Sequence, residues 1–409
     1  MNKHNDYTQR DMELRAADFY ASIRKPESEW KSIDDLDPQL TEFEHRVRAG
    51  DYDNAHEVLS LIDYDFLHLW GHYARIIELR EKLLEHLTDP NLQAENLNRL
   101  GRVYRARGLI KQAIEFHEKA LCIARKIDNH SIQVDALGNL GCALRYLGQI
   151  EQAINRYEQA LAIACKNNFP RGEGWQGHLG IAYRALEQFE QAIESFNLAL
   201  ANARELEHPQ NEVAWLSNLG ETFYALKQFD QAEEYFENTL DIARTHRDHR
   251  GESYQLLGLG KVKLSIGNLF QAQEYCAKAW DLEITKTSYQ AARTLGIIHL
   301  HQRALKARET FVAASKLCRV LLDKTAGLYE PRYALAAALV GIAVCDPRWA
   351  DKNERPDLLA PALTEYRRAL KTCAAPGVVA DARRDLELIQ AAGIEGLEPV
   401  FKVLKMTAD

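Results

Sequence analysis

The sequence predicts an all-α solenoid of antiparallel helix pairs, on three observations. Leu-Gly pairs recur at Leu100-Gly101, Leu140-Gly141, Leu179-Gly180, Leu219-Gly220, Leu259-Gly260 and Leu295-Gly296, spaced by 40, 39, 40, 40 and 36 residues. Twelve residues after each of the first five glycines stands an alanine (Ala113, Ala153, Ala192, Ala232, Ala272), and seven later another small residue (Ala120, Ala160, Ala199, Thr239, Ala279). Between these marks, apolar residues such as Leu97, Leu100 and Tyr104, then Ile110, Ala113, Ile114, Ala120, Leu121 and Ala124, keep i, i+3, i+4, i+7 spacing, which lines one face of a helix. A repeat of this size holding two helices grows in one dimension.

The elements follow in order. Residues 1–35 read as an N-terminal helical segment or joint, and 36–93 as degenerate repeat-like helices: Phe43, Gly50, Ala55 and Leu59 fit the pattern, and Trp70 to Leu87 reads as further helix ending at Asp89-Pro90. Five clear repeats span 94–288. Their inner turns fall at Arg107-Gly108-Leu109, Leu147-Gly148-Gln149 and Ile266-Gly267-Asn268, where glycine suits the left-handed end of a helix. Glu187 and Lys227 replace that glycine in two repeats, at a cost. Connections such as Asp128-Asn129-His130-Ser131, Asn167-Asn168-Phe169-Pro170 and His208-Pro209-Gln210-Asn211 carry turn and cap residues. Residues 289–375 read as divergent repeats, keeping Leu295-Gly296 and Phe311, then Ala362, Tyr366 and Ala369 after a loop at Asp346 to Asp357. Residues 376–409 read as capping helices, since a solenoid must cover its last apolar face.

The residues three after the glycine (Tyr104, Leu144, Tyr183, Phe223) and those on the second helix (His117, Tyr157, Phe196, Phe236, Cys276) supply knobs for the gaps beside the small residues. This pattern of Leu-Gly, aromatic, Ala, aromatic, Ala resembles the tetratricopeptide repeat family, and the longer period is similar to that of kinesin light chains and bacterial signalling proteins. The resemblance implies a right-handed superhelical solenoid that binds a protein or peptide in its concave groove.

The end segments carry a second resemblance. Leu14 to Trp30, Trp70 to Arg80 and Ala375 to Leu386 look like the repeat arm of bacterial STAND NTPases. That implies a ligand-sensing arm that follows a nucleotide-binding switch domain. Gly258-Leu259-Gly260-Lys261 lacks the phosphate-loop spacing and lies on a helix, so the switch domain is expected outside this chain.

Composition narrows the rest. The 409 residues carry 51 Lys+Arg and 59 Asp+Glu, a net charge of −8, which lacks the bulk positive field of a nucleic-acid binder. No apolar run approaches the roughly 18 residues of a membrane span, and Met1 to Tyr7 lacks the apolar core of a signal peptide. No membrane partner and a cytoplasmic location are therefore expected. Seven cysteines without a Cys-x-x-Cys pair exclude a disulfide framework and a zinc ribbon.

In stacked hairpins the first helix of each repeat lines the inner wall. This places Asn98, Arg99, Arg102, Arg105, Asn139, Arg145, His178, Arg184, Asn218, Glu221 and Tyr224 in the groove, as ligand-binding candidates. Arg105, Arg145 and Arg184 occupy one equivalent position in consecutive repeats, and a ridge of planar guanidinium forks suits an acidic peptide segment. The other reading is a solvated arginine, or one paired to Glu95 and Asp135. Asn139 and Asn218 resemble the asparagines that grip a ligand backbone in peptide-binding relatives, and they read equally as hydrated polar groups. Trp175 and Trp215 share one repeat position and read as interhelical packing.

His68 with His72, and His299 with His301, lack third and fourth metal ligands, and Cys142 has no organised base beside it. No catalytic residues, metal or cofactor are assigned, and no enzymatic activity is expected. Two alternatives stand beside the sensor arm: a stand-alone scaffold joining two protein partners, and nucleic-acid binding through Arg99, Arg102, Arg105, Arg145 and Arg184.

Overall fold

The computed structural model describes residues 8–68, 70–169, 173–324 and 327–405; residues 1–7 and 406–409 of the end segments and Pro170 of a predicted turn lie outside them. Among the described residues the regular elements are all helical. They run α1 (Gln9–Ser22), α2 (Asp37–Arg48), α3 (Tyr52–Ile62), α4 (Tyr73–Glu81), α5 (Pro90–Ala106), α6 (Ile110–Lys126), α7 (His130–Tyr146), α8 (Ile150–Lys166), α9 (Glu173–Ala185) and α10 (Phe189–Glu205). There follow α11 (Pro209–Ala225), α12 (Phe229–Thr245), α13 (His249–Ser265), α14 (Leu269–Asp281), α15 (Thr285–His301), α16 (Ala307–Lys324), α17 (Tyr329–Val344), α18 (Arg355–Thr372), α19 (Pro376–Ala391) and α20 (Glu398–Lys405). The fold is an all-α repeat solenoid.

The chain forms two compact units, 1–143 with 162–169, and 144–161 with 170–409. In unit 1, α1 opens with a reciprocal cap: Asp11 N donates to Thr8 Oγ1 at 3.1 Å and Thr8 N donates to Asp11 Oδ2 at 3.0 Å. It lies on α2, where Tyr20 stacks on His45 at 5.5 Å. Helices α2 and α3, where a degenerate repeat is expected, form a hairpin turned at Gly50 with φ of 71°. Phe43, Ala55, Leu59, Ile62, Leu67 and Ile76 fill its core.

The helix expected over 70–87 is shorter. A π-type turn covers Asp63–His68, and α4 stops at Glu81. Beyond it Leu83 N bonds Arg80 O at 3.2 Å and Leu84 N bonds Glu81 O at 3.1 Å, the tighter i to i+3 pattern. Arg80 O also accepts from Asn96 Nδ2 on α5 at 3.1 Å, a tertiary bond that no local periodicity encodes.

Repeat hairpins recur as α5–α6 in unit 1, and as α9–α10, α11–α12, α13–α14, α15–α16 and α17–α18 in unit 2. Their turns share one chemistry. After α11, Lys227 N bonds Tyr224 O at 3.0 Å and Gln228 N bonds Phe223 O at 2.9 Å, satisfying the last carbonyls of the helix. Glu187 and Lys227 adopt φ of 59° and 61°, beside 82° for Gly267. The side chains that replace glycine therefore accept the left-handed conformation.

The Leu-Gly pairs have a packing cause. A Cβ on Gly101 would stand 2.5 Å from His117, one on Gly180 2.8 Å from Phe196, and one on Gly220 2.7 Å from Phe236. Each second-helix knob thus lands on the glycine of its own first helix. Phe311 is fully buried and serves two glycines, with the same clearance of 2.6 Å at Gly296 and 2.5 Å at Gly341. Interiors packed to crystal density leave no room for a methyl group there.

Candidate binding surface

In unit 1 the predicted inner residues of α5 are already engaged. Arg99 Nη1 donates to Asp63 Oδ1 at 2.8 Å, and its Nη2 donates to Glu95 Oε1 at 2.7 Å. The Arg102 guanidinium lies over the Tyr64 ring, 4.0 Å from its centroid, a cation–π contact. Arg105 is half-buried one turn further along. Asn98 and Asn139 are 7% and 5% exposed. Asn139 Nδ2 donates to Asn98 Oδ1 at 3.4 Å, and His117 Nδ1 shares that oxygen at 2.7 Å.

In unit 2, Arg145 sits over the Tyr146 ring at 5.0 Å. His178 is enclosed by rings: Tyr157 stacks at 6.1 Å, Trp175 lies at 5.7 Å, and Trp215 meets it edge-on at 5.9 Å. Trp215 is buried and packs against Phe196 as well, as expected of an interhelical tryptophan, whereas Trp175 is half-buried and stacks on Tyr157 of α8. Asn218 turns its amide onto its own helix, donating to Ala214 O at 2.8 Å. Glu221 accepts from Lys261 Nζ at 3.0 Å. Burial acts to raise the Glu221 carboxyl, but Lys261 and Arg184 outweigh it and hold it below the usual carboxylate range. Tyr224 OH bonds Ser265 Oγ at 3.1 Å, and burial pushes the phenol up to about 12.

The C-terminal segment then enters this surface. Where α18 ends, Cys373 O accepts from Tyr333 OH on α17 at 2.7 Å. Helix α19 packs against α9, α15 and α17, all first helices, and α20 packs against α18 and α19. A helix touching the first helices of several repeats lies along the face that those helices share. Its apolar stripe, Val379, Ala382, Leu386 and Ile389, is buried.

Contacts at four of its residues hold α19 in register. Gly377 approaches the end of α9 so closely that a Cβ would stand 2.5 Å from Arg184 O. Arg384 lies over the Tyr224 ring at 4.9 Å and its Nη2 donates to Ala225 O at 3.4 Å. Asp385 pairs with Arg293 of α15 at 3.0 Å. His301 Nε2 donates to Leu388 O at 2.7 Å. Burial pushes the Asp385 carboxyl above its ordinary value, and Arg293 and Lys261 offset only part of that.

Of the predicted site residues, Arg184 and Tyr224 therefore meet α19, and Glu221 neighbours it through Lys261. Gly377, Arg384, Asp385, Arg293 and His301 were not singled out from the sequence. Gly377 carried a faint signal, because a glycine in the first turn of a helix costs stability unless something approaches closely. Among the described residues no cluster of three or more His, Cys, Asp or Glu is placed to hold a metal, and no described helix is long and apolar enough to cross a membrane.

The geometry can be set beside known proteins. Residues 92–166 and 174–245 match the tetratricopeptide repeat family model, so the chain carries tetratricopeptide repeats there. No curated protein matches the chain. The STAND protein with a tetratricopeptide repeat sensor from Pyrococcus horikoshii is 16% identical with a TM-score of 0.57, over 90% of this chain and 54% of that one. A Rap protein complexed with Competence and Sporulation Factor is 15% identical with a TM-score of 0.56, over 83% and 99% of the two chains. BtubC from P. vanneervenii is 21% identical with a TM-score of 0.44, over 52% and 89%. At these identities the likeness of the STAND protein and the Rap protein concerns the fold alone, an all-α repeat solenoid.

Proposed function

We propose that the first-helix face of unit 2 binds a segment of a partner protein and that the chain acts as the ligand-sensing arm of a STAND-type signalling or defence protein. The observation that carries the binding role is α19 itself. A length of polypeptide seated by a buried apolar stripe, an ion pair and backbone hydrogen bonds is what a protein-binding face accommodates. Repeat folds of this type generally serve as binding modules without catalysis. The sensor role is supported by the shared fold of the Pyrococcus horikoshii protein, whose tetratricopeptide repeats are described as a sensor. The Rap protein, solved with a bound factor, supports a peptide or protein segment as the ligand.

Arg145 and Arg184 give the face cationic groups for an acidic segment. The test is affinity capture from bacterial lysate on the native chain and on Arg145→Glu/Arg184→Glu, with folding checked by circular dichroism. A partner kept by the native chain and lost by the folded variant supports the reading, and equal retention by both overturns it. The sensor role is tested by fusing the chain to a nucleotide-binding switch domain. Ligand must then drive oligomer formation, and a bound ligand without oligomers overturns that role.

A further inference from the structure

Closing the stack does not require α19. The α17–α18 hairpin is filled by its own Ala362, Tyr366 and Ala369, all fully buried, and α20 lies against α18 with Val400, Val403 and Leu404 buried. Between them the chain turns inward. Helix α19 crosses from α17 to α9, covering the first-helix face that the binding reading assigns to a partner.

We propose that α19 is a built-in occupant of this face, which a partner helix of like chemistry must displace before the chain can bind it. The inference rests on the binding role proposed above, and it names the ligand more closely. The seat is shaped for an amphipathic helix with apolar residues at the spacing of Val379, Ala382, Leu386 and Ile389, a small residue opposite Arg184 O, and a cation followed by a carboxylate. The cation meets the Tyr224 ring and the Ala225 carbonyl, and the carboxylate meets Arg293. When α19 leaves, Arg293 loses its counter-ion, and a half-buried guanidinium then favours an incoming carboxylate.

Tethering decides which occupant wins. A segment held at both ends competes at a high effective concentration, so a free helix of equal intrinsic affinity binds poorly to the closed chain. Apparent affinity falls in proportion to the open fraction. A weaker α19 contact therefore appears as tighter binding of an outside helix.

A fluorescent peptide of residues 374–392 serves as the probe, added to the full chain and to full-chain Gly377→Leu/Asp385→Lys. The first change drives a side chain into Arg184 O, and the second sets a cation against Arg293 and Lys261. Hydrogen exchange of the amides of 376–391 is expected to speed up in the variant. The peptide is then expected to bind the variant at least about 10-fold more tightly than the native chain. Adding Arg293→Glu to the variant restores an opposite-charge pair with the new lysine and is expected to slow hydrogen exchange of 376–391 again. Equal binding to native and variant chains, or binding to neither once 376–391 is released, overturns the proposal. Unchanged protection of 376–391 in the variant overturns it too, since the named contacts would not be what holds α19. The probe is the chain's own segment, so this result is independent of whether lysate capture finds an outside ligand.

Discussion

Arg80 and Asp63 form an ion pair at 2.6 Å inside unit 1, with their side chains 0% and 4% exposed. Arg80 also donates to Asn96 Oδ1 at 2.8 Å and to Ser60 Oγ at 3.2 Å, and Asp63 takes a second cation, Arg99. The network pins the π-type turn at 63–68 to α4 and α5. Asp63→Ala would leave a buried guanidinium uncompensated, a loss of about 3–5 kcal/mol. Urea unfolding should show it, and Arg80→Met/Asp63→Leu should recover most of it, because an apolar pair needs no counter-charge. A single variant as stable as the native chain would mean that water reaches Arg80.

Gly220 and Phe236 test the knob beneath each Leu-Gly pair. Gly220→Val forces a side chain against the ring and should destabilise by about 1–3 kcal/mol, whereas Phe236→Ala opens a cavity and should cost about 3–5 kcal/mol. In Gly220→Val/Phe236→Ala the two changes should be less than additive, since they act on one contact. Strict additivity in the denaturation midpoints would rule out that shared contact.

Lys227 offers a prediction of the opposite sign. Its φ of 61° is a conformation that glycine adopts freely, so Lys227→Gly should stabilise by about 0.5–1 kcal/mol. Gly267→Ala, at φ of 82°, should destabilise by a similar amount. Thermal melts of the two variants should move in opposite directions.

Two buried histidines set an acid limit. Burial, aided by Arg80, pushes His56 down to about 4, and burial with Lys306 does the same to His299. The ordinary value is 6.5, so between the two values the unfolded chain takes up protons that the folded chain refuses. Stability should thus fall as pH drops from about 6.5 toward 4, by up to about 1.4 kcal/mol per pH unit for each histidine. His299→Asn should remove one proton from that slope in denaturation midpoints compared at pH 7 and pH 5. An unchanged slope would mean that His299 is not the group responsible.

The repeat was legible because it is local and periodic. Helix pairs follow from 3.6-residue spacing, and the knobs and small residues recur at fixed distances, so Gly220 and Phe236 can be matched without coordinates. Trp215 was readable as packing for the same reason. The groove was less legible. The rule that first helices line the inner wall put Arg184 and Tyr224 among its candidates, but it says nothing of α19, which meets both. It equally placed Asn98 and Asn139 on that wall, although their amides meet each other and His117 inside unit 1.

The sequence by itself thus determined the all-α class, the hairpin unit, the turn positions and the contacts inside each hairpin, since each arises between residues close along the chain. Tertiary structure alone decided that Asp63 takes Arg80 and Arg99, and that α19 lies on the first helices of unit 2 with Asp385 on Arg293. Those pairings join segments that no repeat relates. An isolated Arg-Asp pair on a short amphipathic helix looks the same in sequence whether water or a distant guanidinium faces it, and only the folded chain brings the partner within 3.0 Å.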